Sequence, residues 1–171
     1  MKIITLFFLL LIVSIPTNLQ SQSIDNKLNE VKPYFTPLEK FDPSRDAGKD
    51  IDLTILEAKR SNRRILLDVG GEWCIWCHRL DTMFIKNPEV EKYLHDNFVV
   101  VKVNYSKENK NEKTLSRFPK IPGYPHIFVL DKNGKLLISK SSVDFEKGKG
   151  HDPKVVLAFL KKWSIKKLDR L

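Results

Sequence analysis

Two cysteines, the only two among 171 residues, stand three positions apart between a strand-like run and a helix-like one. Ile65-Leu66-Leu67-Asp68-Val69 is a short apolar run of the kind that forms a buried strand, and Gly70-Gly71 closes it with a turn. Trp73-Cys74-Ile75-Trp76-Cys77-His78 follows. Leu80 and Phe84, four apart, predict a helix from Cys74 to about Ile85. Two thiols within one helical turn are close enough to close a small disulfide ring. A helix N-terminus presents free N–H groups and a partial positive charge, which favours a thiolate on Cys74. Cys74, nearer the helix end and more exposed, is expected to be the nucleophile. Cys77, one turn inside, is expected to be the resolving thiol that releases a mixed disulfide. A chain with one such pair is not a disulfide-stapled scaffold.

The rest of the chain alternates helices and strands. Ile51 to Asn62 reads as a helix, with Ile51, Ile55, Leu56 and Ala58 on its apolar side. Pro88 suits a first helical turn and opens a stretch to Asn97. Phe98-Val99-Val100-Val101-Lys102-Val103 is the clearest strand, rich in β-branched residues. Residues 106–113 are a polar loop or helix start, and Thr114 to Phe118 a short helix. His126 to Leu130 is a third strand, and Asn133-Gly134 turns the chain back through Lys135 to Ser139 as a hairpin. Asp152-Pro153 caps and opens a last helix. This order predicts an α/β layered fold, a central mixed β-sheet with helices on both faces. Hydrophobic residues at 42% suffice for a core, so wholesale disorder is excluded. The length suits one domain, and there is no internal repeat.

Lys2 followed by the apolar run Ile3 to Ile15, broken at Pro16, reads as a secretory signal peptide over residues 1–23. The run is too short for a bilayer span, which needs about 20 residues. Residues 24–49, with Pro33, Pro37 and Pro43, are expected to be an extended, loosely packed lead-in, and residues 50–171 the folded domain. The expected location is exported, periplasmic or secreted, in an oxidising compartment. The net charge is +9. The terminal lysines, however, alternate with Val155, Leu157, Leu160, Trp163 and Leu168 at helical spacing. They read as a solvated helix face rather than a nucleic-acid stripe.

With these residues in place, the chain resembles the thioredoxin superfamily across about residues 51–163. It looks most like the exported subgroup with Trp-Cys-X-X-Cys followed by His or Lys. That subgroup includes the thiol-reducing C-terminal domain of bacterial transmembrane disulfide reductases. Asp68 stands six residues before Cys74, where the family has a buried acid. Trp73 matches the family's Trp before the motif. Lys102, in Val-Lys-Val-Asn, matches the lysine near that acid, and Tyr124-Pro125 matches the family's cis-proline. The resemblance implies a thioredoxin-like three-layer sandwich and a thiol–disulfide oxidoreductase, a reductase or isomerase, acting on exported proteins. Cys74 and Cys77 exchange electrons, Asp68 moves the proton of Cys77 through water, and Lys102 tunes Asp68. Trp73, Ile75, an exposed Trp76, Tyr124 and Pro125 contact substrate. It implies no cofactor and no metal. The partners are disulfide-containing proteins and a regenerating redox protein, such as a membrane thiol transporter. Ile75-Trp76 replaces the Gly-Pro of thioredoxin itself, which leaves the direction of electron flow open.

Each position also has a plainer reading: Asp68 as a turn acceptor, Lys102 as a solvated lysine, Pro125 as an ordinary trans proline, Glu72 as solvated. Three further functions compete. Cys74-Ile75-Trp76-Cys77-His78 is also the attachment pattern for c-type haem, with His78 as proximal ligand and Met83, His95, His126 or His151 opposite. Cys74, Cys77 and His78 supply part of a metal site. The chain also suits a non-catalytic binding module.

Overall fold

The computed structural model describes Phe35 and residues 39–166. The segment read as a signal peptide and most of the expected lead-in before Glu39 lie outside the described residues, as do the last five positions. Helix α1 spans Ala47–Ser61, strand β1 Arg64–Gly70, α2 Ile75–Lys86 and α3 Pro88–Asn97. Strand β2 follows over Phe98–Asn104, then a single turn α4 at Glu112–Leu115, β3 at His126–Leu130 and β4 at Leu136–Ser141. A 3₁₀ turn Ser142–Phe145 leads into a small hairpin, β5 Glu146–Lys147 and β6 Gly150–His151, before the last helix α5 Pro153–Trp163.

The main sheet has the order β2-β1-β3-β4. β1 runs parallel to β2 and antiparallel to β3, and β3 runs antiparallel to β4. β1 is therefore covered on both faces and flanked on both sides, which is why its sequence is nearly all apolar. The strand period of two divides its side chains. Ile65, Leu67 and Val69 join Val99, Val101, Val103, Phe128 and Leu130 in a core with Ala47, Ile51 and Ala58 of α1. Leu66 joins Phe98, Ile127 and Val129 in a second core with Leu80 and Met83 of α2, Leu94 of α3 and Val156 and Leu160 of α5. Helices thus cover both faces of a mixed sheet, as the pattern predicts. Asp68 and Lys102, opposite each other in the register, share the second face.

Three details depart from the sequence expectations. α1 begins at Ala47 because Asp46 caps it, accepting from Gly48 N and Lys49 N. The lead-in is not loose where it is described: Phe41 is 1% exposed and packs against Cys74 and Cys77. The β5–β6 hairpin has no counterpart in the hydrophobic pattern.

Candidate active site

The end of β1 sets the geometry of the thiol pair. A Cβ on Gly70 would overlap Cys77 Sγ and press on Phe41, and a Cβ on Gly71 would overlap the Trp73 ring and Tyr105 O. Both glycines are required by close approach. Gly70→Ala is therefore expected to destabilise the protein by about 1–3 kcal/mol through overpacking. The loss should be larger in the oxidised than in the reduced form when denaturant unfolding of the two is compared.

Cys74 is itself the N-cap of α2. Its backbone is extended, and its Sγ accepts from Cys77 N at 3.2 Å. Cys74 and Cys77 are joined in a disulfide, with their Cα atoms 5.2 Å apart. Cys74 is 5% exposed and Cys77 fully buried. Capping aims the first sulfur at the free amides of the helix end, where a thiolate released by reduction is stabilised.

The flanks are apolar and open. Trp73 and Ile75 are 59% and 58% exposed. The Trp73 indole donates to Tyr105 O at 2.7 Å and meets Tyr124 edge-on, and Tyr124 stacks on Tyr105. Burial pushes the Tyr124 hydroxyl up to about 12. The Tyr124-Pro125 bond is cis. It immediately precedes β3, whose His126 registers with Val69 of β1, so Pro125 stands beside the turn that carries Cys74. Trp76 differs from the expectation of full exposure. It is half-buried, with the Arg79 guanidinium 4.4 Å from its ring centroid and His151 edge-on at 5.6 Å.

Behind the disulfide lies a buried charge cluster. Asp68 is 5% exposed, and its Oδ1 has no hydrogen-bond partner among the described residues. Lys102 Nζ reaches Asp68 Oδ2 at 3.4 Å and Asp81 Oδ1 at 2.6 Å, and lies 4.4 Å from the centroid of the Phe41 ring. Loss of water around Asp68 raises its carboxyl to about 6, against the opposing pull of Lys102. Burial works to lower the Lys102 ammonium, but the carboxylates of Asp68 and Asp81 outweigh it and hold the group above its ordinary value. A cavity of 490 Å³ borders Asp68, Asp81 and Lys102, walled by Leu80, Phe84 and Val100. It brings open space up to the Asp68 side chain.

Asp81 was not singled out from the sequence, although it stands one helical turn after Cys77 on the same face, the spacing that brings side chains together. Phe41 carries no signal of its own in the sequence, and Glu72 reads there as solvated; in the fold Phe41 N donates to Glu72 Oε1 at 2.7 Å, tying the lead-in to the cysteine turn. Glu72 is thus not merely solvated, and Lys102 is not a solvated edge lysine. His78 turns its Nε2 to Glu72 O at 2.8 Å. Of the four second ligands weighed for a haem iron, Met83 packs in the core and His126 pairs with Ser139 Oγ, whereas His151 lies edge-on to Trp76 and His95 stands in the last turn of α3. Among the described residues no three His, Cys, Asp or Glu side chains converge as a metal site.

Comparison with known proteins agrees with this geometry. Residues 46–132, just over half of the chain, match the thioredoxin-like family model. The chain is 25% identical over 93 residues to the disulfide bond reductase DsbH of Chlamydia pneumoniae, covering 50% of this chain and 54% of that one. It is 26% identical over 102 residues to mouse spermatogenesis-associated protein 20, covering 57% of this chain and 12% of the relative. It therefore spans about half the length of the first and about an eighth of the second. A solved disulphide isomerase from Xylella fastidiosa shares the fold, with a TM-score of 0.62 at 22% identity, over 71% of this chain and 94% of that one.

Proposed function

The chain belongs to the thioredoxin-like family, and we propose that it is a thiol–disulfide oxidoreductase, a reductase or isomerase of exported proteins. The observation that carries this reading is the Cys74–Cys77 disulfide at the cap of α2, beside open apolar flanks and in front of the buried Asp68.

In the dithiol form, the Cys74 thiolate attacks one sulfur of a client disulfide. A Cys74–client disulfide forms, and the other client sulfur leaves as a thiolate and takes a proton from solvent. Asp68, acting through water, accepts the proton of Cys77. The Cys77 thiolate then attacks Cys74 Sγ, the internal disulfide forms, and the second client thiolate departs. Two electrons have passed from the enzyme pair to the client. Return to the dithiol needs a dithiol donor, for which a membrane thiol transporter is the fitting class. Lys102 holds Asp68 and Asp81 together, while Trp73, Ile75, Trp76, Tyr124 and Pro125 form the contact surface for the client backbone. The apolar run Ile3 to Ile15 behind Lys2 supports export to a periplasmic or extracellular compartment.

Insulin reduction tests the reading. With dithiothreitol as electron source, the protein is expected to accelerate precipitation of the insulin B chain well beyond dithiothreitol alone. An unchanged rate with correctly folded protein contradicts an oxidoreductase and favours a binding module.

A further inference from the structure

On the flank of α2 opposite the Trp73–Tyr124 cluster lies a pocket of 310 Å³ between the helix and the β5–β6 hairpin. Arg79 and Lys86 reach it from α2 and Lys149 from the hairpin, over a floor of Met83 and His151. No carboxylate lines it. Among the described residues, none of these three cations forms an ion pair with an acid, whereas the nearby Asp144 and Asp152 are each engaged by a lysine, Lys140 and Lys147. His151 is 6% exposed, and neither ring nitrogen finds a hydrogen-bond partner among the described residues. Three cations without an acidic partner around a pocket lined by no carboxylate make a place that attracts an anion from outside the protein. The pocket adjoins the thiol pair through Trp76, whose ring touches both Arg79 and His151.

We propose that this pocket is a carboxylate-recognition subsite, which receives an acidic side chain of the client protein while its disulfide meets Cys74. The proposal rests on the oxidoreductase reading and adds a client class: disulfides flanked by Asp or Glu. Three factors favour it. The volume leaves ample room for an Asp or Glu side chain. The planar Arg79 fork is suited to a carboxylate. The net charge of +9 draws acidic segments toward the protein.

Two synthetic peptides with the same intramolecular disulfide, one flanked by Glu and one by Gln, provide the test. Wild-type protein is expected to favour the Glu peptide in kcat/KM by about tenfold at low salt, a preference that shrinks as salt screens the charges. In Lys86→Gln/Lys149→Gln, two exposed positions, the preference should fall to about twofold. An equal ratio in both proteins overturns the subsite. A second measurement is independent of turnover: titration of the oxidised protein with cysteine-free hexaglutamate, read by tryptophan fluorescence through Trp76. Binding that weakens in the double variant supports the subsite even if neither peptide is reduced, in which case the redox reading alone fails. Turnover without preference and without hexaglutamate binding removes the subsite and leaves the redox reading standing.

Discussion

Cys74→Ser abolishes client turnover, with an expected loss of at least about a thousandfold, because the thiol that remains, Cys77, is fully buried and out of a client's reach. Cys77→Ser has a different outcome. Attack by Cys74 still proceeds, but nothing resolves the adduct, so covalent protein–client species accumulate. Non-reducing electrophoresis and intact mass after incubation with an oxidised client measure both effects. The asymmetry follows from position. Cys74 is the cap, at the helix end and touching the open flank, whereas Cys77 is fully buried beneath Gly70 and Phe41. Adducts on Cys74→Ser instead of Cys77→Ser reverse the two roles. An active wild type with no trapped species in Cys77→Ser removes the resolving step.

Asp68→Asn is expected to slow resolution of the mixed disulfide at pH 7 by about a hundredfold, the usual scale for losing a positioned general base. It should also remove an inflection near pH 6 from the rate profile, since that is where the buried carboxyl ionises. Stability should move the other way. The acid's value is raised in the folded protein, to about 6, above the ordinary unfolded value near 3.9. The folded state therefore holds the proton more tightly. That advantage is complete below about pH 4 and is lost as pH climbs to about 6. At pH 7 the ionised buried group costs about 3 kcal/mol relative to its protonated form. A neutral Asn at this site should stabilise the protein by about 2–3 kcal/mol at pH 7, with the gap closing between about pH 6 and pH 4. Lys102 keeps a carboxylate partner in the variant, since Asp81 lies nearer to it than Asp68 does. Denaturant unfolding at a series of pH values checks the sign. A variant less stable than wild type at pH 7 means the carboxylate is a structural anchor rather than a strained base.

Much of this arrangement is legible in the residues. β1 and β2 announce themselves through apolar and β-branched runs, interrupted at Asp68 and Lys102. The thiol pair follows its Gly turn without interruption, and α5 starts where Asp152-Pro153 says it should, with Asp152 accepting from Lys154 N. Local signals of this kind survive because tertiary packing reinforces them. What escapes is set by contacts distant in sequence. Phe41 lies in a Pro-rich stretch that looks like linker, yet folds back 31 residues to bond Glu72. Asp81 looks like any solvated helix acid until Lys102 of β2 is brought beneath it. Two-residue strands such as β5 and β6 carry no periodicity at all. Trp76 looks exposed next to the cysteines because nothing in the sequence says that this hairpin will stand against it. At the site, then, the thiols are visible from their spacing and Asp68 through the family resemblance, whereas the walls around them come from the tertiary fold.

The most direct test of the redox pair is an equilibrium titration in glutathione buffers, followed by alkylation and intact mass. The expected result is a reversible two-electron curve, with a tenfold change in the oxidised-to-reduced ratio over about 30 mV. Two alkylated cysteines should appear together at the reducing end and none at the oxidising end. Sulfurs that stay closed to alkylation under strong reductant, or that react as two unlinked thiols under oxidising conditions, contradict a cycling Cys74–Cys77 pair.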